Sequence, residues 1–227
     1  MTRAPRPRRL PRAVVFDMDG LMLDTERLAL RCWSIAIERL GLEFDAALMP
    51  AMIGRNSRDS RALVLERHGD DFPIDRLMQA SQETYDAMVA RDGVAVKPGL
   101  VALLDWLDVM HISRVVATST RRSRAEAKLA QTNLLARFAA LVGGDEVERG
   151  KPAPDIFLLA ATRVGAAPAD CIVLEDSEPG VRGALAAGMV PIMVPDVLPP
   201  SAELLACGPL VLPSLAAVQS HLAALPH

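Results

Sequence analysis

Long apolar runs are absent from this sequence. No stretch approaches the roughly 20 consecutive apolar residues that a membrane-spanning helix needs. No signal-peptide pattern of an apolar segment and a small-residue cleavage site follows the basic N-terminus. The formal net charge of -3 gives no reason to expect a nucleic-acid partner. We therefore expect a cytoplasmic protein that binds neither membrane nor nucleic acid.

Cysteine and histidine are both scarce. The cysteines are Cys32, Cys171 and Cys207. They have no metal-site spacing, which is typical of reduced packing residues in the cytosol. The histidines are His68, His111, His221 and His227. Because none of them lies beside the motifs described below, we expect the chemistry to rest on carboxylates.

The N-terminal segment has almost nothing to bury. Residues 2–12 contain five arginines and three prolines. A solvated segment of this kind is more often a free tail than a nucleic-acid or membrane patch. We therefore expect residues 1–12 to form a disordered basic arm.

Helices and strands alternate in the second half of the chain. Apolar segments that predict strands lie at 115–117, 139–142, 171–174 and 190–194, with helices between them. An apolar run at 13–16 predicts the first strand of the same sheet. Apolar strands separated by helices are typical of a parallel sheet that is covered on both faces.

The first strand is separated from the others by a block with little strand character. Within it we expect helical segments around 46–53, 57–68 and 74–90, after a first helix that ends at Gly41. The chain length suits one domain with an insert. We expect an α/β fold with a doubly wound, Rossmann-like parallel core at 13–24 and 97–227 and a helical domain inserted at 25–96.

Two carboxylates follow the first predicted strand. The sequence Asp17-Met18-Asp19-Gly20 comes directly after the apolar run, at the edge of the sheet where open α/β proteins bind ligands. A side chain and a backbone carbonyl at this place could hold a hard cation such as Mg²⁺. Alternatively, Asp and Gly end strands as ordinary turn formers.

Three further polar sites follow predicted strands. Thr118-Ser119-Thr120 offers hydroxyl and N–H groups to phosphate oxygens, or a cap to the next helix. Lys151 lies in a Pro-rich loop and is one of only three lysines. Glu175 and Asp176 end a buried strand, where adjacent acids are costly unless they meet a cation; the alternative is an N-cap at Asp176 or Ser177.

These four motifs together resemble the haloacid dehalogenase superfamily, in particular its β-phosphoglucomutase-like branch of phosphatases with a helical cap. They occur in the order Phe16-Asp17-Met18-Asp19-Gly20, Val116-Ala117-Thr118-Ser119-Thr120, Gly150-Lys151-Pro152-Ala153-Pro154-Asp155, and Leu174-Glu175-Asp176-Ser177 with Gly180. The resemblance extends from about residue 13 to 195 and leaves room for a cap domain after the first motif.

The resemblance implies a catalytic role for three residues. Asp17 is the expected nucleophile, which forms an aspartyl-phosphate. Asp19 is expected to protonate the leaving alcohol and later to help activate water. Lys151 is expected to hold the transferring phosphoryl group and to offset its charge.

The resemblance also implies the phosphate and metal ligands. Thr118 is expected to bind phosphate together with Met18, Ser119 and the three catalytic groups. Mg²⁺ is expected to bind Asp17, the backbone carbonyl of Asp19 and Asp176, with Glu175 close by or directly coordinated.

The cap is expected to select the substrate. In the mutase branch an arginine of the matching segment binds the distal phosphate of the substrate, and Arg58 falls at that position, with Ser57 beside it. The alternative is a solvated helix start with Ser57 as its N-cap.

The cap also departs from the mutase pattern. Mutases have a histidine near the position of Ala29 and a substrate lysine in the cap, but no lysine occurs between Asp24 and Val96 and His68 is the only cap histidine. We therefore expect a Mg²⁺-dependent phosphatase of a small phosphate monoester, such as a sugar phosphate.

Three alternatives remain open. They are a phosphosugar mutase, a non-catalytic phosphometabolite-binding module and a dehalogenase. Asp19 argues against the last two, because binding alone needs no acid or base and a dehalogenase lacks the second aspartate. The oligomeric state cannot be read from the sequence, and a monomer is the expectation.

Overall fold

The strands are apolar because helices cover both faces of their sheet. A computed structural model describes residues 4–226, and within this range the strands are β1 (Ala13–Phe16), β2 (Ser113–Ala117), β3 (Ala140–Val142), β4 (Cys171–Glu175), β5 (Val190–Met193) and β6 (Leu210–Val211). All pair in parallel, in the order β3-β2-β1-β4-β5-β6. This confirms the predicted doubly wound α/β fold.

Helices occupy the segments between these strands and the segment after the last one. They are α1 (Glu26–Leu40), α2 (Leu48–Met52), α3 (Ser57–His68), α4 (Ile74–Asp92), α5 (Leu100–Val109), α6 (Arg122–Gln131), α7 (Asp155–Arg163), α8 (Glu178–Ala186), α9 (Ala202–Ala206) and α10 (Leu215–Ala223). Side chains of β1 alternate between two hydrophobic clusters, with Val14 and Phe16 in one and Ala13 and Val15 in the other. The sheet is therefore buried on both faces.

Four helices between β1 and β2 have a hydrophobic cluster of their own. Its buried members are Ala36, Val64, Ile74, Leu77 and Ala80. These helices, α1 to α4, form the region that we call the cap; its exact limits stay a prediction.

The chain crosses between the core and the cap at two adjacent places. The Asp24 N–H donates to the Ala95 carbonyl and the Lys97 N–H donates to the Met22 carbonyl, each at 2.9 Å. The Lys97 ammonium also pairs with Asp24 at 3.2 Å and with the buried Asp196 at 2.6 Å. The two crossings are therefore held to each other and to the core.

The structure differs from the expectation of a free arm over residues 4–12; residues 1–3 lie outside the described range. Ala4 donates its N–H to the Cys207 carbonyl at 2.6 Å, and Leu10 donates to Pro226 at 3.0 Å. Arg9 pairs with Asp170 at 2.5 Å. The prediction erred because backbone hydrogen bonds and one ion pair anchor this segment, and a composition rich in Arg and Pro reveals neither.

Short elements were also missed. The helix expected at 46–53 is reduced to α2, and the sequence pattern did not predict α9 or β6. The five residues of α9 and the two of β6 are too few to show a period. In the described part of the chain, no helix combines the length and the apolar character needed to cross a membrane.

Candidate active site

The polar motifs converge because parallel strands end at one edge of the sheet. Asp17 follows β1 and donates its backbone N–H to Leu174 of β4 at 3.0 Å. Thr118 follows β2 and donates its N–H to Val142 of β3 at 3.0 Å. Glu175 is the last residue of β4. The strand register therefore fixes these motifs side by side, in the crevice where doubly wound sheets bind ligands.

Lys151 reaches this crevice from the loop before α7. Its buried ammonium donates to Asp17 Oδ1 at 2.5 Å, to Glu175 Oε1 at 2.6 Å and to the Ala117 carbonyl at 3.1 Å. Burial alone would lower the pKa of Lys151, but the charges of Asp17 and Glu175 outweigh it and raise the pKa above its ordinary value. The lysine is thus a fixed positive charge against the expected nucleophile.

Three buried carboxylates form a candidate metal site. Oxygen atoms of Asp17, Glu175 and Asp176 lie within 4.8 Å of one another. Burial raises the pKa of Asp17 and of Asp176 well above the usual range, and neighbouring carboxylates add to the rise at both. One ammonium cannot neutralise three carboxylates, so the cluster suits a divalent cation with a preference for oxygen ligands.

The backbone around this cluster leaves no spare room. A Cβ on Gly20 would lie 2.1 Å from Asp176 Oδ2, and Gly20 has a φ of +85°. The Asp176 carboxylate therefore lies directly against the turn that carries Asp17 and Asp19.

Glu175 is held on both of its oxygens. Oε1 accepts from Lys151, and Oε2 accepts from the backbone N–H of Ser177 at 3.0 Å and from its hydroxyl at 2.9 Å. The Ser177 hydroxyl also accepts from the Gly180 N–H at 3.3 Å, which caps α8. The predicted cap at Ser177 and the predicted acidic cluster are therefore both present in the structure.

Asp19 has a different environment from Asp17. Its carboxylate accepts from Thr25 and Thr120 at 2.7 Å each and from the Lys128 ammonium at 2.6 Å. Burial raises the pKa of Asp19, but the charge of Lys128 and these hydrogen bonds hold it below its ordinary value. The surroundings therefore favour the ionised form.

Lys128 is a cavity residue that the sequence analysis missed. It lies on α6, and its side chain is 17% exposed. The one signal was that it is a lysine in a chain whose basic residues are nearly all arginine. Nothing in the sequence pattern shows which side of α6 faces Asp19.

The hydroxyl motif after β2 does not cap α6. Asp145 Oδ1 accepts from the Arg122 N–H at 2.7 Å, which supplies the cap instead. Thr118 is buried and its hydroxyl accepts from the Thr120 N–H at 3.1 Å. Ser119 donates its hydroxyl to the Gly54 carbonyl of the cap at 2.9 Å.

Met18 is set apart from the other expected phosphate ligands. Its side chain is fully buried in the hydrophobic core. Only its backbone remains available for the predicted contact with phosphate.

The cap loop at 54–58 rests on the core loops. A Cβ on Gly54 would lie 2.4 Å from the Ser177 hydroxyl oxygen, and one on Gly150 would lie 2.1 Å from Asn56 Nδ2. Asn56 Oδ1 accepts from the Asp59 N–H at 2.9 Å, so Asn56 is the N-cap of α3. The alternative that Ser57 caps this helix was therefore wrong.

Arg58 contacts a core loop rather than the cavity. Its guanidinium donates to the Glu148 carbonyl of the core and lies 3.4 Å from Asp59. Arg58 is not among the residues that line the cavity, whereas Ser57 and Arg55 are. The substrate role of Arg58 and Ser57 stays a prediction.

A cavity of about 510 Å³ separates the core from the cap. Its core wall includes Asp17, Asp19, Thr118, Ser119 and Lys128. Its cap wall includes Glu26, Ala29, Trp33, Gln82 and Tyr85. The cavity can therefore hold a small molecule with one end against Asp17 and the other against the cap.

Comparisons with known proteins agree with this architecture. Residues 11–188 match the family described as haloacid dehalogenase-like hydrolase. The chain is 35% identical over 178 residues to fructose-1-phosphate phosphatase YqaB of Escherichia coli, which covers 78% of this chain and 92% of that protein. It is also 35% identical over 198 residues to (DL)-glycerol-3-phosphatase 2 of Arabidopsis thaliana, with 81% and 79% covered.

A solved structure has a similar overall fold. The crystal structure of CbbY from Rhodobacter sphaeroides in complex with phosphate has a TM-score of 0.75 and 27% identity to this chain. The match covers 92% of this chain and 96% of that one.

Proposed function

The chain belongs to the haloacid dehalogenase-like hydrolase family, and from this premise we propose that it is a Mg²⁺-dependent phosphatase of a small phosphate monoester. The observation that carries the proposal is the buried Asp17 carboxylate, which lies 2.5 Å from the Lys151 ammonium at the rim of a cavity. Phosphoryl transfer needs alignment and charge neutralisation above all, and this arrangement supplies both.

Asp17 is the proposed nucleophile. One of its oxygens attacks phosphorus, the bond between phosphorus and the ester oxygen breaks, and an aspartyl-phosphate forms. Lys151 offsets the repulsion between the carboxylate and the phosphate dianion. Water then attacks phosphorus, the bond to Asp17 breaks, and inorganic phosphate leaves.

Asp19 is the proposed proton carrier. It gives a proton to the leaving alcohol oxygen in the first step and accepts one from water in the second. Thr25, Thr120 and Lys128 fix its carboxylate toward the cavity. Their hydrogen bonds favour the ionised form, which is the form that the second step requires.

Mg²⁺ is the proposed metal ion. Asp17, Asp176 and the backbone carbonyl of Asp19 would hold it, with Glu175 alongside. When bound, it would supply positive charge against the phosphate oxygens. Both oxygens of Glu175 already accept hydrogen bonds from Lys151 and Ser177, which favours an indirect role for Glu175.

Three groups are proposed to bind the phosphate oxygens beside Lys151. They are the Thr118 hydroxyl, the Ser119 backbone and the Met18 backbone. Thr118 and Ser119 line the cavity next to Asp17, in agreement with this role.

A small hydroxylated metabolite is the proposed substrate class. The relatives named above act, by their names, on fructose 1-phosphate and on glycerol 3-phosphate. The mutase alternative has less support, because the residue at position 29 is an alanine and this alanine lines the cavity.

The cytoplasm stays the proposed location of the enzyme. The cysteines Cys32, Cys171 and Cys207 all have free thiols in the structure. Free thiols agree with a reducing compartment.

The proposal is tested by phosphate release from a panel of phosphorylated metabolites, with Mg²⁺ and with a chelator. We expect release of inorganic phosphate from one or more small sugar or polyol phosphates, and only with the metal. Isomerised sugar phosphate as the main product would favour the mutase. An absence of turnover across the panel would contradict the proposal.

A further inference from the structure

Two side chains face each other in the cavity beyond the groups assigned above. Lys128 comes from α6 of the core and Tyr85 comes from α4 of the cap. The Lys128 ammonium nitrogen lies 5.1 Å from the centroid of the Tyr85 ring. Both residues line the cavity, so the pair connects its two walls.

The hydroxyl of Tyr85 has no hydrogen-bond partner among the described residues. It is nevertheless inaccessible to solvent. A buried hydroxyl without a partner costs about 1–3 kcal/mol, and such groups are normally satisfied. The Lys128 ammonium acts on this hydroxyl, and both residues line the cavity, so a molecule that enters between them can bind both groups when the Tyr85 side chain turns toward it.

Lys128 also has hydrogen-bonding capacity left. An ammonium group has three N–H donors. One of them donates to Asp19 Oδ1 at 2.6 Å. This contact places the ammonium immediately beside the carboxyl group from which the leaving alcohol would take its proton.

The position of Lys128 defines which substrate atom it can meet. When the ester oxygen lies against the Asp19 carboxyl, Lys128 can reach groups on the carbon adjacent to the one that bears the phosphate. A hydroxyl on that carbon lies about one hydrogen-bond length from the ester oxygen. It can accept from Lys128, and it meets the Tyr85 hydroxyl when that hydroxyl turns into the cavity.

The charges that lie next to the Lys128 ammonium are carboxyl groups. The Lys128 ammonium is already paired with the Asp19 carboxylate. Glu26 also lines the cavity, and Asp19 and Lys128 both act on it electrostatically. A second phosphate at this place would face two carboxyl groups and one shared ammonium, although Arg55, Arg121 and Arg124 also line the cavity.

We propose that Lys128 and Tyr85 form a subsite for the substrate hydroxyl that is vicinal to the phosphate ester, on the carbon adjacent to the one that bears the phosphate. The proposal rests on the phosphatase function proposed above and narrows its substrate to phosphates of vicinal diols and polyols. Lys128 binds the substrate hydroxyl in addition to orienting Asp19. Tyr85 completes the subsite when the cap is closed.

Three small phosphates test the proposal in the intact enzyme. They are 2-hydroxypropyl phosphate, its isomer 3-hydroxypropyl phosphate, and propyl phosphate. We expect the wild type to have a higher kcat/KM for the 2-hydroxy ester than for the other two. In Y85F the preference for 2-hydroxypropyl over propyl phosphate should fall by about fivefold, the worth of one hydrogen bond.

Lys128 is tested in the same way. In K128M the same preference should fall by about tenfold or more, since this hydrogen bond involves a charged donor. K128R should retain part of the preference because it keeps the charge. Thr162→Val on the exposed side of α7 is the control, as it removes a hydroxyl far from the cavity.

The outcomes separate the two proposals. If p-nitrophenyl phosphate is hydrolysed but the three esters react equally, the subsite is refuted and the phosphatase function stands. If Y85F and K128M lose activity on all three esters by the same factor, the pair has a structural role only. If none of these compounds is hydrolysed with Mg²⁺ present, the phosphatase function itself fails.

Discussion

The core side and the cap side of the cavity are built in opposite ways. On the core side, strand register and buried hydrogen bonds hold each group: Lys151 alone contacts Asp17, Glu175 and the Ala117 carbonyl. On the cap side, the loop at 54–58 meets the core from outside the sheet, through contacts between loops such as that from the Ser119 hydroxyl to the Gly54 carbonyl. We therefore propose that the chemistry depends on the strand ends and that substrate choice depends on the cap.

The difference also appears in what the polar groups lack. The carboxylates of the core side are short of positive charge, because Lys151 serves both Asp17 and Glu175. On the cap side, the Tyr85 hydroxyl is short of a hydrogen-bond partner in the described structure. The first deficit suits a cation and the second suits a substrate.

The largest effect is expected at the centre of the core side. Asp17→Asn should lower turnover of p-nitrophenyl phosphate by roughly 10⁴-fold or more, because the nucleophile is lost. The fold should persist, since the amide has the same shape and relieves a buried charge. Turnover and circular dichroism of the variant check this.

Asp170→Asn is the matched control for this substitution. Asp170 precedes β4 at the opposite edge of the sheet and pairs with Arg9. It should leave activity unchanged. Near-normal activity in the Asp17 variant would contradict the assignment of the nucleophile.

The second effect concerns the charge deficit of the core side. Asp176→Ala should raise the Mg²⁺ concentration for half-maximal activity by more than the roughly 10–100-fold typical of residues that only support a ligand. The reason is that Asp17 would be the one remaining acid that holds the cation directly, beside the Asp19 carbonyl. Activity titrated with Mg²⁺ measures it, and an unchanged midpoint would exclude Asp176 as a ligand.

A smaller effect is expected on the cap side. Arg58→Ala should lower kcat/KM by no more than about fivefold, because the guanidinium is largely exposed and contacts the Glu148 carbonyl rather than the cavity. Substrates with one and with two phosphates should suffer equally. The control is Arg61→Ala, which lies on the same helix as Arg58 and breaks a pair with Asp75 of α4.

A loss of kcat/KM in Arg58→Ala that is larger for substrates with two phosphates than for those with one would contradict this expectation. It would mean that Arg58 turns into the cavity when substrate binds. The predicted binding of a distal substrate phosphate by Arg58 would then hold.

The smallest effect concerns stability at the core side. The Arg163 hydrogen bond, with further donors at Gly143 and Arg122, lowers the pKa of Glu146 to about 2. A depressed folded pKa stabilises the protein above the unfolded value of 4.5, and this stabilisation is lost as the pH falls toward 2. Glu146→Gln should therefore cost about 1 kcal/mol at neutral pH.

Urea unfolding of the wild type and the Glu146 variant checks this dependence. The difference in unfolding free energy should shrink as the pH falls through the window given above. A difference that is independent of pH would show that the loss comes from packing rather than from charge.

The sequence predicted the core side because its groups are tied to strands. Asp17, Thr118 and Asp176 each follow an apolar run, and parallel strands bring such positions to one edge. Lys128 escaped prediction because its role depends on how α6 is rotated against the sheet. The substrate role of Arg58 stays a prediction for the same reason, since the sequence does not show which way α3 presents its side chain.

Residues 4–12 escaped prediction for another reason. Their attachment depends on backbone hydrogen bonds such as that from Leu10 to Pro226, which no side-chain pattern encodes. The N-cap of α3 is a different case: Asn56 and Ser57 are both favoured N-cap residues, so the sequence does not decide between the two positions.

The paired crossings between core and cap have a mechanical consequence. A single connecting segment would let the cap rotate freely, whereas two segments hydrogen-bonded to each other behave as a ribbon. A ribbon bends easily about one axis and resists twisting and sliding. We therefore expect the cap to swing along a single arc, so that each closure returns Gly54 to the same contact with Ser119.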